Sequence, residues 1–218
     1  QVGEHDQPFW DTAVEQGWTA LAIPEKHGGL GLGLIELGLV AQACGAATAG
    51  APFLTSGYGV SQALLQGSDA ALAAHWLPKL ASGDVTGCVA FAEGNSALPS
   101  SAAVTFSSGK LNGTKPAVAG GAKADIAVVW ANADGQPALV VAELAGAGRA
   151  AVASYDNSRL YADLTFSGTP ATVFATGEPA AKLALDVLAR MAVVTAHEQV
   201  GGAEVLMQIA RDYAVTRK

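Results

Sequence analysis

Residues 17–31 run Gly-Trp-Thr-Ala-Leu-Ala-Ile-Pro-Glu-Lys-His-Gly-Gly-Leu-Gly, and Leu32-Gly33 extend the run. The glycine density is that of a dinucleotide loop. Such a loop follows a strand and places the N-terminus of a packed helix at the pyrophosphate. Here the residues before it carry a helical pattern instead. Asp6 is placed as an N-cap, Pro8 sits in the first turn, and Phe9, Ala13 and Val14 recur at helical spacing until Gly17 stops the run. Ile23 to Gly31 is therefore a turn-rich connection between helices. A doubly wound nucleotide-binding sheet is excluded.

The pattern beyond this loop stays helical to about Gly83. A helix from about Leu34 to Cys44 runs into Gly45 and places Ile35, Leu39 and Ala43 on one face. The stretch Leu30 to Leu54 carries a single charge, Glu36, but its glycines, Pro52 and Gln42 argue against a membrane span. A further helix covers Tyr58 to Gln66 and ends at Gly67. Ser68 caps the next, which reaches His75-Trp76, and Pro78 begins a short turn that ends at Gly83.

From Val85 to about Val173 the periodicity changes. Short β-prone runs appear at Val85–Phe91, Ala103–Phe106, Ala127–Trp130, Ala138–Ala142 and Ala162–Phe166. Turn clusters separate them at Ser108-Gly109-Lys110, Asn112-Gly113 and Ala133-Asp134-Gly135. Short strands spaced by turns predict an antiparallel sandwich or barrel. From Pro179 one long helix dominates, with Leu183, Val187, Met191, Val194, Gly201, Val205, Ile209 and Tyr213 as its buried stripe. The fold class is thus α+β and multidomain: an N-terminal helical bundle over 1–84, a middle β domain over 85–176, and the first long helix of a C-terminal helical domain over 177–218. The start at Gln1 and the end at Arg217-Lys218, inside a helical pattern, indicate part of a longer polypeptide.

Composition narrows the function classes. Half of the 218 residues are hydrophobic, 14% are charged, and 19 acidic against 12 basic residues give a net charge of −7. That balance argues against a phosphate-tracking surface and against disorder. Alanine, about a fifth of the chain, favours helices and closely packed small side chains. Cys44 and Cys88 lie far apart and outside any CxxC pattern, which points to a reducing cytoplasm. His5, His27, His75 and His197 have no metal-ligand spacing, and no metal is expected. Neither a GxSxG elbow nor a GxxxxGK[ST] loop occurs. Asp156 and Asp163 fall in a turn-and-strand region and are expected to be solvated.

Specific words in a fixed order nevertheless point to a family. Gly17-Trp18 is followed by Leu21-Ala22-Ile23-Pro24-Glu25-Lys26-His27-Gly28-Gly29-Leu30-Gly31, then Leu77-Pro78-Lys79-Leu80-Ala81-Ser82-Gly83. The β region carries Leu111-Asn112-Gly113-Thr114-Lys115 and Ala124-Asp125, and the long helix carries Glu198-Gln199-Val200-Gly201-Gly202-Ala203 and Tyr213-Ala214 with Arg217. In this order the words resemble the acyl-CoA dehydrogenases across essentially the whole chain.

The resemblance implies a flavin, FAD, between the β domain and the C-terminal helices. It also implies an acyl-CoA substrate that loses its α-proton to a carboxylate while hydride leaves to the flavin, and an electron-transfer flavoprotein as acceptor. Most members place the base beyond the position of Lys218. A minority place a Glu where Met191 stands here. Glu198 is read as a helix-packing residue. Arg217 matches the arginine that reaches across the subunit interface to a neighbour's flavin pyrophosphate, a ligand that a guanidinium suits.

At its flavin-facing positions the chain departs from the family. The signature Thr-Glu followed by Gly-Ser-Asp is here Phe91-Ala92-Glu93-Gly94-Asn95-Ser96, and the signature Lys-x-Trp-Ile-Thr/Ser is Lys115-Pro116-Ala117-Val118-Ala119. Ala92, Ala117 and Ala119 replace a hydroxyl, a tryptophan and a second hydroxyl. Ring packing contributes roughly 0.5–1.5 kcal/mol beyond its area, and a polar contact roughly 1 kcal/mol. Losing these contacts together weakens flavin binding by orders of magnitude. The expected role is a subunit with a degenerate flavin site in a hetero-oligomer, as the family forms in bacterial steroid side-chain degradation. The alternatives are an ordinary homo-oligomeric FAD-binding dehydrogenase or a flavin oxidase or monooxygenase on the same fold.

Overall fold

The computed structural model describes residues 7–49, 53–155 and 159–217. The N-cap expected at Asp6 and the solvated carboxylate expected at Asp156 lie outside them. Helix α1 (Gln7–Glu15) buries Trp10 and Ala13 and stops at Gly17, which takes a left-handed φ of 73°. The loop that follows folds on itself through single 3₁₀ turns at Trp18–Ala20 and Glu25–His27. Gly29 is required there, because a Cβ would lie 1.9 Å from the Ile23 carbonyl oxygen.

Helix α2 (Leu34–Ala47) shows the opposite face from the one its pattern suggested. Leu37, Gly38, Ala41 and Cys44 are buried, whereas Ile35 and Leu39 are 75% and 63% exposed. Apart from Glu36 the helix is uncharged all round, so hydrophobicity cannot select a face. Close approach selects it. At Gly45 a Cβ would lie 1.8 Å from the Glu198 carbonyl oxygen, and at Gly38 2.9 Å from the His197 ring.

Next come a π-helical segment, Phe53–Val60, and helix α3 (Ser61–Gln66). Helix α4 (Ala70–Ala81) is capped by Asp69, whose carboxylate accepts the Leu72 N–H at 2.9 Å. Ser68, the expected cap, instead donates to the Phe174 carbonyl. The helix also runs through Pro78 rather than ending before it, because Leu80 and Ala81 beyond the proline are buried and offset the lost hydrogen bond.

Seven strands follow: β1 (Gly87–Ala90), β2 (Thr105–Ser107), β3 (Lys110–Ala119), β4 (Ile126–Ala133), β5 (Gln136–Glu143), β6 (Gly148–Val152) and β7 (Tyr161–Thr176). The pairings β4–β2, β2–β3, β3–β7, β7–β5 and β5–β4 close a ring, so the sheet is a barrel, with β1 added to β4 and β6 to β7. The expected antiparallel pairing holds except on β4, which takes both β1 and β2 in parallel. The expected turns at Ser108-Gly109 and Asp134-Gly135 form, all four residues with positive φ. Asn112-Gly113, however, is strand rather than turn. There a register shift and Gly113, at φ 123°, let β3 pass Val104.

Six successive residues of β4, Ile126 to Ala131, are buried because the strand is covered on both sides. Ile126, Val128 and Trp130 join Leu64, Leu77, Leu80, Leu183 and Val187 in a core between barrel and helices. Ala127, Val129 and Ala131 face inward with Cys88, Ala90, Ala138, Val140, Ala142, Leu164 and Phe166. The barrel interior is thus lined largely by small side chains.

Helix α5 (Gly177–Thr216) leaves the barrel and packs along α2. Leu183, Val187, Val194 and Gly201 of the expected stripe are buried, and Met191 and Val205 are half-buried. Ile209 and Tyr213 are exposed, together with Leu206, Met207 and Val215. The stripe ends where α2 ends; nothing else in the described residues covers the last turns. No helix among the described residues is long and apolar enough to cross a membrane.

At the α2–α5 crossing, a Cβ on Gly201 would meet the Gln42 carbonyl oxygen at 1.9 Å, whereas one on Gly202 would meet Gly45 O at an ordinary 3.5 Å. Gly201→Ala is therefore expected to destabilise by about 2–3 kcal/mol, a Tm loss of roughly 4–12 °C. Gly202→Ala gains up to about 1 kcal/mol from helix propensity. Thermal melting of the two variants checks both signs.

Candidate functional site

A buried polar cluster joins the end of β1 to β3. Lys115 alternates with buried Leu111 and Val118 on the inward side of β3, and its side chain is fully buried. The ammonium donates to Glu93 Oε1 at 2.6 Å and to the Phe91 carbonyl at 3.1 Å. The second oxygen of Glu93 accepts the Ala103 N–H at 2.8 Å. Glu93 and Ser96 also exchange two backbone hydrogen bonds, and Trp130 Nε1 donates to the Pro99 carbonyl at 2.9 Å. A fully buried cation therefore holds the loop that carries Ala92.

Burial raises the Glu93 carboxyl, but the Lys115 hydrogen bond and the Ala103 N–H outweigh it and hold the group below its ordinary value of 4.5. Burial also pulls the Lys115 ammonium down, against the opposing pull of Glu93.

Two residues beyond Lys115 the strand bulges. Register with β7 shifts between Lys115 and Val118, Pro116 sits in the bulge where no N–H is needed, and Ala117 takes a φ of 47°. The Ala117 N–H donates to Asp163 Oδ1 at 2.8 Å. Asp163 is accordingly not the solvated carboxylate expected of it: it is half-buried and holds the bulge.

The structure thus brings together five of the residues singled out in the sequence. Phe91 is buried and Glu93 half-buried; Ala92 and Ala117 are exposed, and Ala119 is half-buried opposite Tyr161. For the flavin that the resemblance implies, Ala92, Ala117 and Ala119 offer three methyl groups, and the Ala117 N–H is already engaged. These residues do not fit a flavin ring.

Arg217 stands apart. It is at the exposed end of α5, its N–H bonded to the Tyr213 carbonyl and its guanidinium 6.0 Å from the Tyr213 ring centroid. Met191, by contrast, packs at Gly59 beside Val89 of β1. At 1.5 Å per helical residue, Arg217 lies about 40 Å along the axis from Met191.

Met191 itself is a thioether and accepts no proton. Glu198 is half-buried on α5 and ion-paired with Arg159, the residue leading into β7, which ties the barrel to the long helix. Neither thiol is a nucleophile: burial, with Glu198 assisting, pushes Cys44 up to about 11, and burial pushes Cys88 up to about 12. Sequence reasoning gave no role to Lys115 as the partner of Glu93, to Asp163 at the bulge, or to Arg159. The one available signal was a lysine at an inward strand position, which demands a buried counter-charge.

Known proteins share parts of this sequence and its fold. The family described as acyl-CoA dehydrogenase, N-terminal domain, matches residues 1–84. The acyl-CoA dehydrogenase FadE28 of Mycobacterium tuberculosis (strain ATCC 25618 / H37Rv) is 38% identical over 124 residues, 56% of this chain and 36% of that protein. Residues 1–84 thus match the N-terminal domain of the acyl-CoA dehydrogenases, in line with the resemblance read from the sequence.

Solved structures share the fold. Butyryl-CoA dehydrogenase from Megasphaera elsdenii superposes with a TM-score of 0.88 at 21% identity, over 99% of this chain and 62% of that one. The ChsE4-ChsE5 complex from Mycobacterium tuberculosis gives 0.85 at 24% identity, over 98% and 59%. The chain therefore spans about three fifths of the length of these family structures, and its aligned part about a third of the curated relative.

The Glu93–Lys115 pair sets a pH dependence. A carboxyl held below 4.5 contributes stability that is complete above that pH and is lost as pH falls through the folded-state value. Glu93→Gln, which strands the buried ammonium, is expected to cost about 3–5 kcal/mol near neutrality and to flatten the acid limb of the profile. Adding Lys115→Met to it should recover most of the loss. Melting temperatures of the three proteins between pH 3 and pH 7 check this.

Proposed function

We propose that this chain is an acyl-CoA dehydrogenase-family subunit that takes part in FAD-dependent α,β-dehydrogenation of an acyl-CoA thioester without a complete flavin cradle of its own. It works in a hetero-oligomer with a homologous subunit that keeps the ring contacts, and electrons leave to an electron-transfer flavoprotein. The observation that carries this reading is the pairing of two features. Ala92, Ala117 and Ala119 present methyl groups beside the loop that Lys115 holds, while Arg217 sits on an exposed helix end about 40 Å along α5 from Met191.

A chain that loses its ring-facing groups has no use for a diphosphate-binding arginine directed at its own site. It has one if the arginine serves a neighbour's flavin. The exposed apolar residues around it, Ile209, Tyr213 and Val215, are what a subunit interface would cover. The likeness to the ChsE4-ChsE5 complex, a solved hetero-complex of the same fold, supports the same assembly. Because three methyl groups face the place where a ring would lie, catalysis resides in the partner's site. This chain's residues position and complete that site.

Two outcomes are expected. The polypeptide purified alone, without added FAD, is colourless by its 450 nm to 280 nm absorbance ratio; one flavin per chain retained through dialysis overturns the reading. Co-expressed with a family member that keeps the ring contacts, it forms a yellow complex with fewer flavins than chains. In that complex Arg217→Ala should weaken FAD binding roughly tenfold to a hundredfold. The melting temperature of the isolated variant should not change, because the side chain is exposed. Equal FAD affinities in the two complexes reduce Arg217 to a helix-end cation.

A further inference from the structure

We draw no further inference here: the strongest candidate, the exposed apolar face that runs along α5 through Leu185, Val193, Val200, Leu206 and Met207, carries none, because nothing in the structure shows what covers it.

Discussion

One buried ammonium fixes the geometry on which the candidate site depends. Lys115 is fully buried, so its charge must be met by Glu93, and a second of its donors goes to the Phe91 carbonyl. That requirement pulls the segment after β1 against β3, and the second Glu93 oxygen then captures the Ala103 N–H and closes the loop. Burying such a pair contributes little net stability compared with an apolar replacement, and breaking it costs several kcal/mol. Its effect is therefore positional. The loop has one arrangement, and Ala92 and Ala117 are displayed by it rather than by their own side chains.

A second constraint acts at the other end of the molecule. Glycines at 38, 45 and 201 let α2 and α5 approach until backbone meets backbone, and the Arg159–Glu198 pair fastens the entry to β7 onto the same helix. These contacts fix the direction of α5 from its first turns to Gly202. The remaining turns continue straight out along that axis. The place where Arg217 ends up is thus decided by packing about 15 to 20 residues earlier on the same helix.

Much of the fold was legible because composition and periodicity agreed: helices before the glycine loop, short strands with Asp-Gly and Ser-Gly turns, and one long helix after Pro179. Three things were not legible, each for a physical reason. The face of α2 was misread because a helix apolar on all sides has no pattern to read, and its packing is chosen by missing side chains at Gly38 and Gly45. Strand β3 was hidden by Asn112-Gly113 and Pro116, turn formers that here sit at bulges. The end of the α5 stripe was invisible because apolar periodicity records what a surface is able to bury, not what this chain supplies to bury it. At the site, the words of the sequence singled out Glu93, Ala92 and Ala117, and the structure ties the Glu93 loop to β3 through Lys115. The tertiary partners of Glu93 and Ala117, namely Lys115 and Asp163, become evident only when β1, β3 and β7 are placed side by side.

The small-residue lining of the barrel has a consequence for how this protein can change. Ala90, Ala127, Ala131, Ala138 and Ala142 are buried together in the barrel interior. A methyl group has no alternative rotamer, so a larger neighbour cannot be accommodated by a side chain swinging aside; strands must separate and ladder hydrogen bonds stretch. Inherited variation at these positions is therefore confined to a narrow volume range and is strongly asymmetric, since a removed methyl leaves a small void while an added one strains several strands at once. The outer face of the same strands, packed on mobile-jointed leucines and a tryptophan, carries no such restriction. Drift in the barrel should accumulate on one side of each strand and stall on the other, leaving a two-residue rhythm in the variation itself.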